Sequence, residues 1–109
     1  MSKEQRSFGS LLKNLIKAAE MTQYEFYTAL DITKPYFYDI LAGKTHPPPP
    51  HLQDKALDIL KVDPKTRVEF FELAANARNE LPADIVTKIK KYPDLKDIIR
   101  DYQKQKSNN

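Results

Sequence analysis

Within residues 33–42, TKPYFYDILA, the sequence gathers side chains able to make several directional hydrogen bonds from one short helix. Lys34 supplies an ammonium donor and Asp39 a carboxylate acceptor, while Thr33 and Tyr38 carry hydroxyls that do both. Phe37 and Ile40, three apart, point inward, leaving Lys34, Tyr38 and Asp39 turned more nearly outward. Fixed donors and acceptors of this kind suit recognition of a partner. Catalysis needs a nucleophile beside a base, or paired acids, and the acidic residues here are dispersed along helices without such grouping, so no catalytic residue is expected. His46 and His51 flank four prolines, but two histidines without cysteine or ligand spacing do not make a metal site, and no cofactor is expected.

The elements that must hold this helix can be traced along the chain. Phe8, Leu11, Leu12, Leu15, Ile16 and Ala19 form one apolar stripe, predicting a helix over 7–20 with Ser7 as its N-cap. Thr22 with Glu25 three places on is a capping-box signature for a second, two-turn helix with Phe26, Ala29 and Leu30 on its inner face. Asp31-Ile32 leaves room only for a tight corner. Thr33 is then a good N-cap, Pro35 falls in the first turn where its missing N–H is harmless, and Gly43 is placed to end the helix. Two helices and a tight turn fit a helix-turn-helix unit.

Residues 44–51, KTHPPPPH, predict a stiff polyproline II spacer, either a structural loop or, in principle, a proline-rich ligand. Leu52, Ala56, Leu57, Leu60 and Val62 give a fourth helix. Asp63-Pro64 opens a fifth through Val68, Phe70, Phe71, Leu73 and Ala74. A new section begins near Leu81-Pro82, with two short helices expected at 83–91 and 93–103 and a frayed tail over 104–109. Their apolar residues, Ile85, Ile89, Leu95, Ile98, Ile99 and Tyr102, make faces too small to be stable alone, so they must dock on something.

Composition sets the bounds. At 109 residues with two glycines, scarce β-branched runs and helical periodicity, an all-α fold is predicted. The absence of cysteine fits a reducing compartment. No apolar run approaches the roughly 18 residues of a membrane span, and the first ten residues lack the apolar core of a signal peptide, so a cytoplasmic protein is expected. The net charge of +3 permits nucleic acid without demanding it. Residues 1–49 hold 6 basic and 5 acidic side chains, whereas residues 81–109 hold 7 and 4, so the more basic region is not the one with the outward polar helix. Lys88, Lys90 and Lys91 read most simply as a solvated helix face.

Residues 8–75 resemble the Cro and phage-repressor type of helix-turn-helix regulator, the XRE family. The likeness lies in Phe8-Gly9, Leu11-Leu12, Leu15-Ile16, Met21-Thr22-Gln23, Ile32-Thr33, Tyr36-Phe37, Ile40 and Gly43-Lys44, with the spacing from Gln23 to Thr33 to Gly43 the most specific part. Three departures stand out: Asp31 in place of the turn glycine, Leu41 in place of an often acidic residue, and the proline tetrad. The resemblance implies a five-helix DNA-binding domain over 1–79, followed by a helical extension over 80–103.

It also implies that the helix at 33–42 enters the major groove of double-stranded DNA. Thr33, Lys34, Pro35, Tyr38 and Asp39 become candidates for base edges: lysine donating to guanine, aspartate accepting from cytosine, and Pro35 or Thr33 touching a thymine methyl. Gln23, Tyr36, Lys44 and Thr45 become candidates for phosphate contacts, with Tyr36 equally open to a packing role. One such module contacts few bases, so a repressor acting as a homodimer on a palindromic operator is the expected function, paired through the six apolar residues of 81–103. The alternative is a protein-interaction module of antitoxin-like or mobile-element type with weak DNA binding.

Overall fold

The computed structural model describes the backbone of residues 7–107 and the side chains of residues 7–102. Seven helices and no strand occur among the described residues: α1 (Phe8–Ala18), α2 (Gln23–Leu30), α3 (Lys34–Ala42), α4 (Pro50–Leu60), α5 (Pro64–Arg78), α6 (Ala83–Lys91) and α7 (Leu95–Ser107). The fold is all-α.

Local chemistry sets most of the boundaries. Ser7, Thr22, Thr33 and Asp63 each cap the helix that follows by accepting from the backbone N–H three residues on. At α2 the box is reciprocal: Glu25 N donates to Thr22 Oγ1 at 3.0 Å and Thr22 N to Glu25 Oε1 at 2.9 Å. The C-termini of α1 to α5 turn through left-handed residues. Gly43 does this without strain at φ 75°, whereas Glu20, Asp31, Lys61 and Asn79 adopt the same region with a Cβ. Asp31, standing at the turn between α2 and α3, has φ 64° and ψ 43°, a conformation that aspartate accepts better than most residues.

The core joins the first five helices. Phe26 and Phe37 are wholly buried with ring centroids 5.9 Å apart, and Phe8 meets Phe70 edge-on at 4.9 Å. α1 packs on both α3 and α5, and α2 on α3 and α4. The approach of α1 to α3 depends on Gly9. A Cβ there would overlap the carbonyl oxygen of Leu41 and lie 2.9 Å from its carbonyl carbon. Gly9 therefore lets two backbones touch, and Leu41 beside it is half-buried against the core.

Several sequence expectations need correcting. Ala29 is exposed, and α2 buries Phe26 and Leu30 with Tyr27 partly covered beside them. Val68 is 51% exposed, on the outer side of α5. Helix α4 begins at Pro50, two residues before Leu52, because proline at the first helical position loses no hydrogen bond.

The proline run is not a free spacer. Pro47 and Pro48 are buried, with their carbonyls accepting from Arg78 Nη1 at 3.0 Å and Gln53 Nε2 at 2.8 Å. Prolines have no N–H to satisfy, so once those carbonyls are paired the segment can be covered. Gln53 itself is buried, and its Oε1 has no partner among the described residues. Burial of Pro47 and Pro48 removes the run as a ligand for a proline-recognising groove.

Beyond Asn79 the chain changes character. α6 rests on α5 through the buried Ala83. Helix α7 starts at Leu95 instead of residue 93 and continues to Ser107 past the expected end at 103. The expected fraying over 104–109 is thus replaced by helix as far as Ser107, and its last two residues lie outside the described ones. All side chains from Lys96 to Tyr102 are exposed. The radius of gyration is 16.4 Å, against about 13 Å for a compact chain of this length, which fits a last helix standing off the body. No helix is long and apolar enough to cross a membrane among the described residues.

Candidate nucleic-acid interface

α3 owes its position to its inner residues. Phe37 and Ile40 are buried, Tyr36 and Leu41 half-buried, and these four lie side by side on one side of the helix. The opposite side is left to Lys34, Pro35, Tyr38, Asp39 and Ala42, all exposed, with the capping Thr33 exposed at its start. Four of the five residues proposed for base contacts thus share one open face, with Thr33 capping its start. The helix is nine residues long, about 13 Å at 1.5 Å per residue.

The phosphate candidates do not form a single set. Gln23, at the first turn of α2, is joined to the outer face of α3: Tyr38 Oη donates to Gln23 Oε1 at 3.0 Å. This bond leaves the Gln23 amide N–H groups to donate elsewhere and holds the Tyr38 ring across the junction between the helices. Lys44 and Thr45 are exposed beyond the far end of α3, on the rim of a groove shared with Gly9 and His46. Tyr36 falls on the other side. It packs half-buried against the core, and its oxygen is near enough to influence Arg78. Of its two sequence readings, the packing one matches this placement, because the turn of the helix that exposes Tyr38 carries Tyr36 inward.

A group of aromatic rings braces the face. Tyr38 stacks edge-on against Phe37 at 5.1 Å and approaches Tyr27 at 6.4 Å. Tyr27 in turn meets Phe37 at 5.3 Å and Tyr24 at 5.6 Å. The rings run from the buried Phe26 and Phe37 out to Tyr24, which is 66% exposed. Sequence reasoning missed Tyr24 and Tyr27. Their signal was the three-residue spacing within α2, which puts both rings on the side that turns toward Tyr38.

The electrostatics of the face are nearly balanced, with Lys34 and Lys44 set against Asp39, Glu25 and Asp31. Stronger ionic interactions lie behind it. Arg78, at the end of α5, grips Glu80 through two bonds of 2.9 and 3.1 Å while holding the Pro47 carbonyl. The hydrogen bond from Arg78 holds the Glu80 carboxyl below its ordinary range, and Glu80 raises the guanidinium in return. Asp63 is held low by the hydroxyl and the N–H of Thr66, as befits an N-cap carboxylate.

No cluster of three or more histidine, cysteine or acidic side chains able to hold a metal occurs among the described residues. His46 and His51 are both exposed, on either side of the prolines. The arrangement presents hydrogen-bonding and aromatic groups on a rigid support, outside any enclosed pocket. Comparison with protein-family models, with curated proteins and with solved structures finds no match to this chain.

Proposed function

We propose that this chain binds double-stranded DNA in a sequence-specific manner, with α2 and α3 as a helix-turn-helix and α3 entering the major groove. In this reading residues 1–79 are a five-helix DNA-binding domain of the phage-repressor type, and 80–103 are an appended pairing element. The protein is a transcriptional regulator, a repressor, acting as a homodimer on a palindromic operator.

The observation that carries the reading is the open face of α3. Lys34, Pro35, Tyr38 and Asp39 project from a helix whose other side is anchored in the core, Thr33 caps its exposed start, and Gln23 of α2 is tied to Tyr38. Major-groove readers need this combination of a protruding helix and fixed polar side chains at its start. Lys34 and Asp39 supply a donor and an acceptor suited to a guanine and a cytosine edge, with Pro35 and Thr33 available to a thymine methyl. Gln23, Lys44 and Thr45 are free to bond phosphates, while Tyr36 contributes through packing. Near-neutral charge on the face makes apolar contact and DNA shape a larger part of recognition than in a strongly basic reader.

Two substitutions separate the roles. Lys34→Ala is expected to weaken a specific duplex by about 1–3 kcal/mol and random duplex much less, whereas Lys44→Ala should weaken both alike. Equal losses for the two variants would remove Lys34 from base reading. A second reading is favoured by the exposed Tyr24 and Tyr38 with Asp39 between Lys34 and Lys44: an antitoxin-like protein-interaction module with weak DNA binding. Steep loss of duplex affinity with salt, corresponding to several released counterions, counts against it.

A further inference from the structure

Resting on the reading of the chain as a dimeric DNA binder, the surface left open by α6 and α7 specifies how two copies meet. We propose that α7 pairs in parallel with α7 of a second copy, its acidic flank lying against the partner's basic flank.

Leu95, Ile98, Ile99 and Tyr102 fall within an arc of about 100° when successive residues are turned by helix geometry. Three of them are 56–59% exposed. One border of this stripe is acidic: Asp94, whose carbonyl accepts from Ile98 N, and Asp101, with Asp97 further round. The other border carries Lys96, with Arg100 further round. Arg100 and Asp97 join across the back of the helix at 3.4 Å, leaving Asp94, Asp101 and Lys96 at the edges of the stripe.

Two helices that meet through such a stripe bring their borders together in a way that depends on direction. In a parallel pair, opposite borders meet, as the g and e positions of a parallel coiled coil do. Asp94 and Asp101 then face the partner's basic border, and the two-fold axis repeats the contact on the second seam. In an antiparallel pair like borders meet, setting aspartates against aspartates on one seam and basic groups against basic groups on the other. The charge pattern therefore selects the parallel pair.

The same pattern disfavours a membrane surface as the occupant, since Asp94 and Asp101 border the apolar stripe and anionic lipid repels them. A standard interface buries about 800 Å² per partner, more than four α7 side chains supply. Ile85 on α6, 42% exposed, offers further uncovered apolar surface. A parallel pair puts both copies of α1–α5 at the same end of the paired helices, where two α3 helices can address one duplex.

Because the chain contains no cysteine, cross-linking tests the direction cleanly. Leu95→Cys and Tyr102→Cys are made singly in the full chain and oxidised without DNA. A parallel pair sets each of these positions against its own counterpart, so each variant alone yields a disulfide-linked dimer. Dimer only on mixing the two variants marks an antiparallel pair and overturns the proposal. So does a chain that stays monomeric at every concentration, or one that binds phosphatidylserine vesicles as a monomer. Asp94→Lys with Asp101→Lys should weaken the dimer roughly tenfold at low salt, and adding Lys96→Glu should restore it; an unchanged dissociation constant contradicts the charge assignment. Cross-linked dimer that fails to bind any duplex leaves the pairing intact and removes the DNA reading. Duplex binding by a chain that never cross-links does the reverse.

Discussion

Phe37 in α3 and Ile98 in α7 are both large apolar side chains on short helices, yet Phe37 is 0% exposed and Ile98 is 59%. The difference extends to their whole regions. α1–α5 are capped by side chains at four of their five starts and enclose an aromatic core. α6 and α7 follow Pro82 with no side-chain cap on α6 and an apolar stripe facing outward. The first region has the means to fold on its own contacts. The second exposes apolar surface at Ile85, Ile98 and Ile99, so its order is bound up with whatever covers it.

The largest effect expected from that contrast is in the core. Phe37→Ala should cost about 3–5 kcal/mol of stability by opening a cavity among Phe26, Tyr27 and Tyr38. Ile98→Ala, far less covered, should change the stability of the dilute chain by less than about 0.5 kcal/mol. Chemical denaturation of the two variants beside the parent checks both. Similar losses would erase the distinction between the regions.

Gly9→Ala sharpens the comparison within the first region. The added methyl meets backbone at Leu41, which cannot swing aside, so α1 and α3 must separate, at a cost of about 1–3 kcal/mol. A melting curve unchanged from the parent would mean that α1 and α3 are less closely apposed than the structure has them.

A smaller, pH-dependent effect concerns the two carboxylates that flank α5. Asp63 and Glu80 are held below their ordinary values of 3.8 and 4.5 by Thr66 and Arg78. Carboxylates depressed in the folded state contribute stability that is fully present above the unfolded value and lost as pH falls through the folded one. The difference in melting temperature between the parent and Asp63→Ala should therefore be constant near neutrality and shrink below about pH 4. A difference that widens in acid contradicts the N-cap role of Asp63.

Much of the first region was legible in the sequence because its signals are local. Ser7, Thr22, Thr33 and Asp63 announce helix starts through spacing alone, and Gly43 announces a stop. Phe8-Gly9 could be noted as a pattern, but the reason for the glycine lies 32 residues away at Leu41, and only packing brings the two together. The proline tetrad was legible only in part, for a related reason. Its composition indicates extended backbone, while burial of Pro47 and Pro48 depends on Arg78 and Gln53 reaching their carbonyls.

The candidate site divides along the same line. The outward set on α3 follows from one helical period, so Lys34, Tyr38 and Asp39 could be separated from Phe37 and Ile40 by counting. The Tyr38–Gln23 bond and the cluster with Tyr24 and Tyr27 depend on the angle between α2 and α3, which no spacing rule contains. Tyr36 could not be assigned by spacing, since it stands at the edge of the inner face.

The central claim is that the open face of α3 reads duplex DNA. Selection of bound sequences from a random duplex pool, with the full chain as bait, tests it most directly. The account predicts enrichment of a two-fold symmetric site with half-sites about 34 Å apart along the duplex, or a multiple of that spacing. It further predicts that the enrichment is lost in the Lys34→Ala variant. A pool that stays random after repeated rounds, or a motif that Lys34→Ala recovers unchanged, would contradict it.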